Sequence, residues 1–289
     1  VACFLSSFGA FAAYDRSRLE QAGIPCFCDP QDAADAVAAL SGYAKASACQ
    51  SQHVQPMLTA AQCCAVEEFL RDFPKNEQLV LPERLSKQLL ALAGFPVSVP
   101  VVAHTAMQAA DAAEAFGYPV ALKVESYVIQ HKTDVGGVRL GLQDRAAVKE
   151  AFLQMDSAMK RLDPSACVTV QPMAQSGFEV MLGAARLHDT PLMAAGMGGI
   201  YAEAFQDMAF RLAPLQEGQA ERMLQSLRCA PVLNGFRTPP LDRAGVCQLL
   251  QRLSELMQAF AQIREVDLNP CRVYENGCAI LDARIVLQL

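Results

Sequence analysis

Apolar residues recur along the chain with two periods, and the change of period marks the elements. The run Leu81-Pro-Glu-Arg-Leu-Ser-Lys-Gln-Leu-Leu-Ala-Leu-Ala93 carries its leucines at helical spacing and stops at Gly94, just before Pro96. Beyond it, short apolar or alternating runs predict strands near residues 99–103, 118–124, 136–142, 167–172, 177–186, 191–197 and 263–284, the last broken by turns. Helical patterns fall near 106–116, 145–160, 217–228 and 241–260. Several strands follow one another with no helix between them, which favours antiparallel pairing over a βαβ alternation. The expected class is therefore α+β.

The N-terminal part reads differently. Val1 to Leu5 and Gly23-Ile-Pro-Cys-Phe-Cys28 have strand character, the stretch between them is helical, and an Ala-rich helix covers 31–45. One or two α/β units cannot build a covered parallel sheet. With no initiator Met at its start, the segment 1–45 reads as the tail of a longer α/β domain, residues 46–79 as a linker holding one helix, and 80–289 as a second domain.

Composition narrows the partners. At 52% hydrophobic and 19% charged residues the chain has the make-up of a soluble, well-packed protein. A net charge of −6 with no Lys/Arg-dense stretch argues against nucleic acid and anionic membrane surfaces as partners, so any bound anion must be held by local positive groups. Eleven cysteines lie scattered without a CxxC pair, which points to free thiols in a reducing, cytoplasmic setting. No run is long enough for a membrane helix, and the N-terminus lacks a basic region before an apolar one.

Three constellations carry candidate chemistry. The first is Gly117-Tyr-Pro-Val-Ala-Leu-Lys123-Val, followed by His131-Lys132-Thr-Asp-Val-Gly136-Gly137-Val. Strand alternation sets Lys123 opposite Leu122 and Val124, and the glycine pair lets backbone N–H groups approach an anion without Cβ interference. A solvated strand-end lysine is the plainer alternative. The second is Glu265-Val-Asp267-Leu-Asn269-Pro270 with Ile280-Leu-Asp282-Ala-Arg284. Oxygen ligands from two neighbouring strands suit Mg2+, with Asn269 and Asp282 as the candidate ligands, although Asn269-Pro270 also reads as a simple turn. The third is Gly196-Met-Gly198-Gly199 leading to Phe210-Arg211, either an anion-contacting loop with a guanidinium or a plain turn beside a surface arginine. Glu179, between apolar strand neighbours, needs a cation, a hydroxyl or a backbone partner, and a structural ion pair satisfies that as well.

Taken in order, Lys123, the His131–Val138 loop, Val170-Gln-Pro-Met, Gly177-Phe-Glu179, Gly196-Met-Gly-Gly, Phe210-Arg-Leu-Ala-Pro, Asp267-Leu-Asn-Pro and Leu281-Asp-Ala-Arg closely resemble the ATP-grasp domain of NDP-forming acyl-CoA synthetases. The resemblance covers about residues 80–289, with 1–45 similar to the end of the preceding CoA-ligase domain. It implies two α+β subdomains gripping ATP, behind a partial flavodoxin-like unit. It further implies that Lys123, Lys132, Gly136 and Gly137 attend the phosphates, that Gln171, Met173, Glu179 and Arg211 complete the ATP site, and that Asn269 and Asp282 hold Mg2+. His131 would relay a phosphoryl group to a CoA-ligase domain or subunit carrying its own catalytic histidine, in a full-length protein that assembles as a homo-oligomer. The alternative is a non-catalytic ATP- or acyl-CoA-sensing region of a protein acyltransferase regulator. Cys271 and Thr133 stand where the family usually has Leu and Ser, and neither removes a charge or a ligand.

Overall fold

A computed structural model describes residues 10–27, 29–48, 56–74, 78–127, 129, 135–199, 207–237 and 239–288. The chain divides into two units, Val1–Val54 and Gln55–Leu289. In the first, the described residues form helices α1 (Ala10–Gln21) and α2 (Pro30–Ala48), the latter matching the expected Ala-rich helix. The strand expected from Gly23 is not formed: residues 24–27 are irregular, so nothing described supports the flavodoxin-like reading. The strand expected over Val1 to Leu5 lies outside the described residues.

The second unit begins with helix α3 (Ala60–Arg71), started by a capping box in which Thr59 and Gln62 satisfy each other's backbone N–H groups. Val66 and Leu70, one turn apart, pack into the core. Strand β1 (Gln78–Leu81) and helix α4 (Glu83–Leu92) follow, and α4 ends at Gly94, whose φ of +78° is the left-handed stop that its sequence position foretells. Helix α3 is the one helix expected within the linker 46–79, and β1 straddles the end of that stretch; both belong to this unit.

Next come β2 (Val101–Ala103), α5 (Ala106–Phe116), β3 (Val120–Glu125), β4 (Val138–Leu142), α6 (Arg145–Met159) and β5 (Cys167–Pro172). These four strands pair β2-β5-β3-β4, all antiparallel. One sheet face, with Leu122, Val124, Val168 and Val170, packs on Phe152 and Met155 of α6 and Ala109 and Ala113 of α5. The other face carries Lys123, Thr169 and Gln171.

The remaining chain forms β6 (Phe178–Leu187), β7 (Thr190–Met197), β8 (Met208–Leu212), α7 (Gln219–Ser226), α8 (Ala230–Leu233), α9 (Arg243–Ala259), β9 (Ile263–Val273), β10 (Cys278–Ile280) and β11 (Arg284–Gln288). Among the described residues, the larger sheet runs β1-β11-β9-β6-β7-β8, with β10 also on β9, again antiparallel throughout. Its core face, with Leu182, Met193, Val266, Leu268 and Ile285, packs on Leu250, Leu253 and Met257 of α9 and Leu89 and Leu90 of α4. Strand β8 and the extension of β11 to Gln288 are departures from expectation: β8 is a short edge strand made by its pairing with β7, and β11 is held between β1 and β9, so pairing rather than local pattern makes both strands. No helix of the described residues is long and apolar enough to cross a membrane, and their cysteines are free thiols.

Candidate functional site

The polar residues of the two sheets meet where α4 lies between them. Lys123 projects from β3 on the face opposite Leu122 and Val124, as alternation requires. Its Nζ donates to Oε1 of Glu83 at 2.7 Å and stands 3.7 Å from Oδ2 of Asp282, which follows β10. The same Glu83 oxygen takes Nζ of Lys87, one helical turn on, at 2.9 Å. Lys87 also donates to Oε1 of Gln171 on β5 at 2.9 Å and to the Leu281 carbonyl at 2.7 Å. Four segments thus converge: α4, β3, β5 and the β10–β11 connection.

The charges are strongly coupled by burial. Glu83 is 6% exposed and Lys87 1%. Burial pushes the Lys87 ammonium below the usual lysine range, with Glu83 opposing the shift. Burial acts the same way on Lys123, but the Asp282 and Glu83 carboxylates outweigh it and hold that ammonium above its usual range. Lys123 therefore stays cationic.

Asp267 lies in the larger sheet on β9. Directly opposed residues on neighbouring strands share a face, and the register gives a row Phe210–Ala194–Gly183–Asp267–Arg284. The adjacent row, Arg211–Met193–Ala184–Val266–Ile285, is the core row. Oδ1 of Asp267 is buried without a hydrogen-bond partner. Burial first, then the nearby Glu265 and Asp282 carboxylates, push its carboxyl above the usual range, with Arg284 opposing. A buried oxygen with no donor and like charges beside it is a place for a cation.

Asn269, two residues further along β9, accepts from the Gly199 N–H at 3.4 Å, and Leu281 N–H, next to Asp282, donates to the Pro270 carbonyl at 3.0 Å. The structure therefore links the Asn269-Pro270 segment directly to the one bearing Asp282. Gly198 and Gly199 pack where no side chain fits: a Cβ on Gly198 would meet the Val180 carbonyl carbon at 2.5 Å. These glycines serve close packing on Glu179 and Val180.

Glu179 is engaged by an ion pair. Arg272 donates to its Oε1 through Nε at 3.1 Å and Nη2 at 3.0 Å, and the same guanidinium holds the Ala174 and Gln175 carbonyls. The backbone N–H of Met173 donates to the Pro119 carbonyl, and the Gln171 side chain is taken by Lys87. Gly136 has a φ of +70°, and the Gly137 carbonyl accepts from Val124 N–H, closing the described end of the loop onto β3. His131 and Lys132 lie outside the described residues. Arg211 stands on the core-row side of edge strand β8, exposed, with its guanidinium on the Phe210 carbonyl; Phe210 and not Arg211 occupies the face that bears Asp267. Sequence reading passed over Glu83 and Lys87, because charged residues four apart on a helix ordinarily mark an exposed pair and nothing local signals their burial.

Comparison with known proteins places this geometry. A family model described as an ATP-grasp domain matches residues 72–287. The ADP-forming acetate–CoA ligase I of Archaeoglobus fulgidus is 33% identical over 99% of this chain, which spans 42% of that protein's length. The beta subunit of ADP-forming acetate–CoA ligase I of Pyrococcus furiosus is 32% identical, with 74% of this chain covering 93% of the subunit. Among solved structures, the Ca. Korarchaeum cryptofilum dinucleotide-forming acetyl-coenzyme A synthetase 1 with coenzyme A and Ca-AMPCP superposes with a TM-score of 0.70 at 32% identity, over 77% of this chain and 98% of that one. The same enzyme with Mg-AMPPCP, its phosphohistidine segment pointing towards the nucleotide binding site, gives 0.66 at 29%, over 78% of this chain and all of that one.

Proposed function

Since the chain belongs to the ATP-grasp domain family, we propose that it is the ATP-binding, phosphoryl-transferring part of an NDP-forming acid–CoA ligase, which interconverts acid, CoA and ATP with acyl-CoA, ADP and phosphate. The observation that carries this reading is the meeting of Lys123 with Asp282 at 3.7 Å, beside the orphaned Asp267 oxygen, where the two sheets face α4. A triphosphate and its divalent metal require that pairing of a fixed cation with oxygen donors.

The donors present fit Mg2+, which takes one or two carboxylates and completes its shell with water and phosphate. Asn269 and Asp282 would hold the ion, with Asp267 adding negative charge behind them. When bound, the metal neutralises phosphate charge and orients the transferring group. The chain's own residues do the rest. Lys123 offers N–H donors to phosphate oxygens while Glu83 restrains it, and the loop bearing Lys132, Gly136 and Gly137 attends the phosphates. Gln171, Met173 and Glu179 border the nucleotide, whereas Arg211 stands on the sheet face opposite to that of Asp267.

His131 is the proposed phosphoryl acceptor. A neutral imidazole nitrogen forms the N–P bond as the P–O bond to ADP breaks, and the phosphoryl group then passes to a CoA-ligase domain or subunit. The full protein is proposed to be a homo-oligomer working in the cytoplasm. The alternative, a sensing region of an acyltransferase regulator, draws no support from the relatives, which carry ligase or synthetase names.

The test is transfer from γ-labelled ATP with Mg2+, the CoA-ligase domain being supplied. Acid-labile, alkali-stable label on His131, lost in Lys123→Met and Asp282→Asn, is the expected result. Saturable ATP binding with no label and no ADP would sink the catalytic reading.

A further inference from the structure

Among the side chains converging on Lys123, two lie too deep to touch a ligand. Lys87 has three N–H donors, and three acceptors are in place for them: Glu83 of its own helix, Gln171 of the small sheet, and the Leu281 carbonyl beside Asp282. Glu83 in turn gives one oxygen to both Lys87 and Lys123. At 1% and 6% exposure neither group faces solvent.

We propose that Glu83 and Lys87 are positioning residues which set Lys123 and Asp282 in one register across the two sheets, a reading that rests on the nucleotide site described above. The reasoning is geometric. Lysine carries its charge on a flexible four-carbon stem, and a phosphate contact made through it is worth most when the stem is already placed. Glu83 at 2.7 Å places it. Asp282 sits in a short connection whose neighbouring carbonyl, Leu281, is pinned by Lys87 at 2.7 Å. The two grips come from successive turns of α4, and α4 is anchored in the large core by Leu89 and Leu90, each 0% exposed. The helix thereby acts as a ruler: the cation on the small sheet and the carboxylate beside the large one are both measured from it. The i,i+4 spacing of Glu83 and Lys87 is what brings both grips to one side of the helix.

A merely structural ion pair would have the same burial but a different energetic signature. Binding of Mg-ATP, followed by calorimetry, is to be compared for the unsubstituted chain, Glu83→Gln, Lys123→Met and the double variant, each first shown to melt cooperatively. If Glu83 acts through Lys123, Glu83→Gln weakens binding on the order of tenfold alone but less than about twofold once Lys123 is already methionine. Equal losses in the two backgrounds, or no loss on Glu83→Gln alone, overturn the inference while leaving the nucleotide reading intact. Absence of Mg-ATP binding by the unsubstituted chain overturns both. Should Glu83→Gln not fold, Glu83→Asp keeps the charge but withdraws it from Lys123, and must show the same dependence on Lys123.

Discussion

Replacing Lys87 by methionine is expected to lower the melting temperature by roughly 6–20 °C. Methionine has a similar length, so the change isolates the ammonium and leaves little cavity. In the structure that ammonium serves three acceptors at 2.7–2.9 Å, all in surroundings where Lys87 itself is 1% exposed. Removing one partner of a buried ion pair costs about 3–5 kcal/mol, because the remaining charge keeps its desolvation penalty. Two terms pull the total towards the lower end: Glu83 retains Lys123, and the variant no longer pays to bury Lys87, whose charge burial already disfavours. The Gln171 oxygen and the Leu281 carbonyl, left without a donor, pull the other way by about 1 kcal/mol or more each. For a unit of this size 1 kcal/mol moves the midpoint by about 2–4 °C, which gives the quoted range. Thermal melts by circular dichroism at neutral pH measure it. A shift under about 3 °C would refute the reasoning.

Other consequences are equally direct. Asp207 is 8% exposed and accepts the backbone N–H groups of Arg228 and Cys229, each at 2.8 Å; burial raises its pKa, but these bonds outweigh it and hold the carboxyl below its usual range in the folded chain. Asp207→Asn should cost about 1.5–3 kcal/mol at pH 7 by urea titration. Because the folded pKa is the lower one, this contribution is present above the ordinary carboxylate range and fades as pH falls through the folded value, so the gap between the two proteins should close in acid; a constant gap would contradict it. Gly198→Ala drives a Cβ against the Val180 backbone and should lower stability by about 2 kcal/mol or more, with Mg-ATP affinity falling too, since Gly199 next door bonds Asn269. Leu182→Ala, in the core behind the site, should cost about 2–5 kcal/mol while leaving ligand affinity in the surviving folded fraction unchanged.

Much of this molecule is legible in its residues. The helix expected within 81–93, which forms over Glu83–Leu92 with Leu81 given to β1, its stop at Gly94, the run of strands without intervening helices, and the side of β3 on which Lys123 stands follow from period and from glycine's access to positive φ. Those are local properties, decided by residues a few positions apart. The ordered motifs also pointed to the ATP-grasp family, with the match now running over 72–287.

What the tertiary structure decided are the relations between distant segments. Edge strand β8 exists because β7 offers it a ladder, and its register turns Phe210, not Arg211, towards the Asp267 face. Glu179 could have met several partners; Arg272, 93 positions away, is the one that folding delivers. Above all, Lys87 looked like one polar position on a helix surface until Gln171, 84 residues on, and Leu281, 194 residues on, closed over it. Sequence fixes how each segment twists and which way its side chains alternate, because those follow from neighbours in the chain. Only the packed fold determines which charges share a buried oxygen, because that depends on burial and distance between residues the chain order keeps far apart.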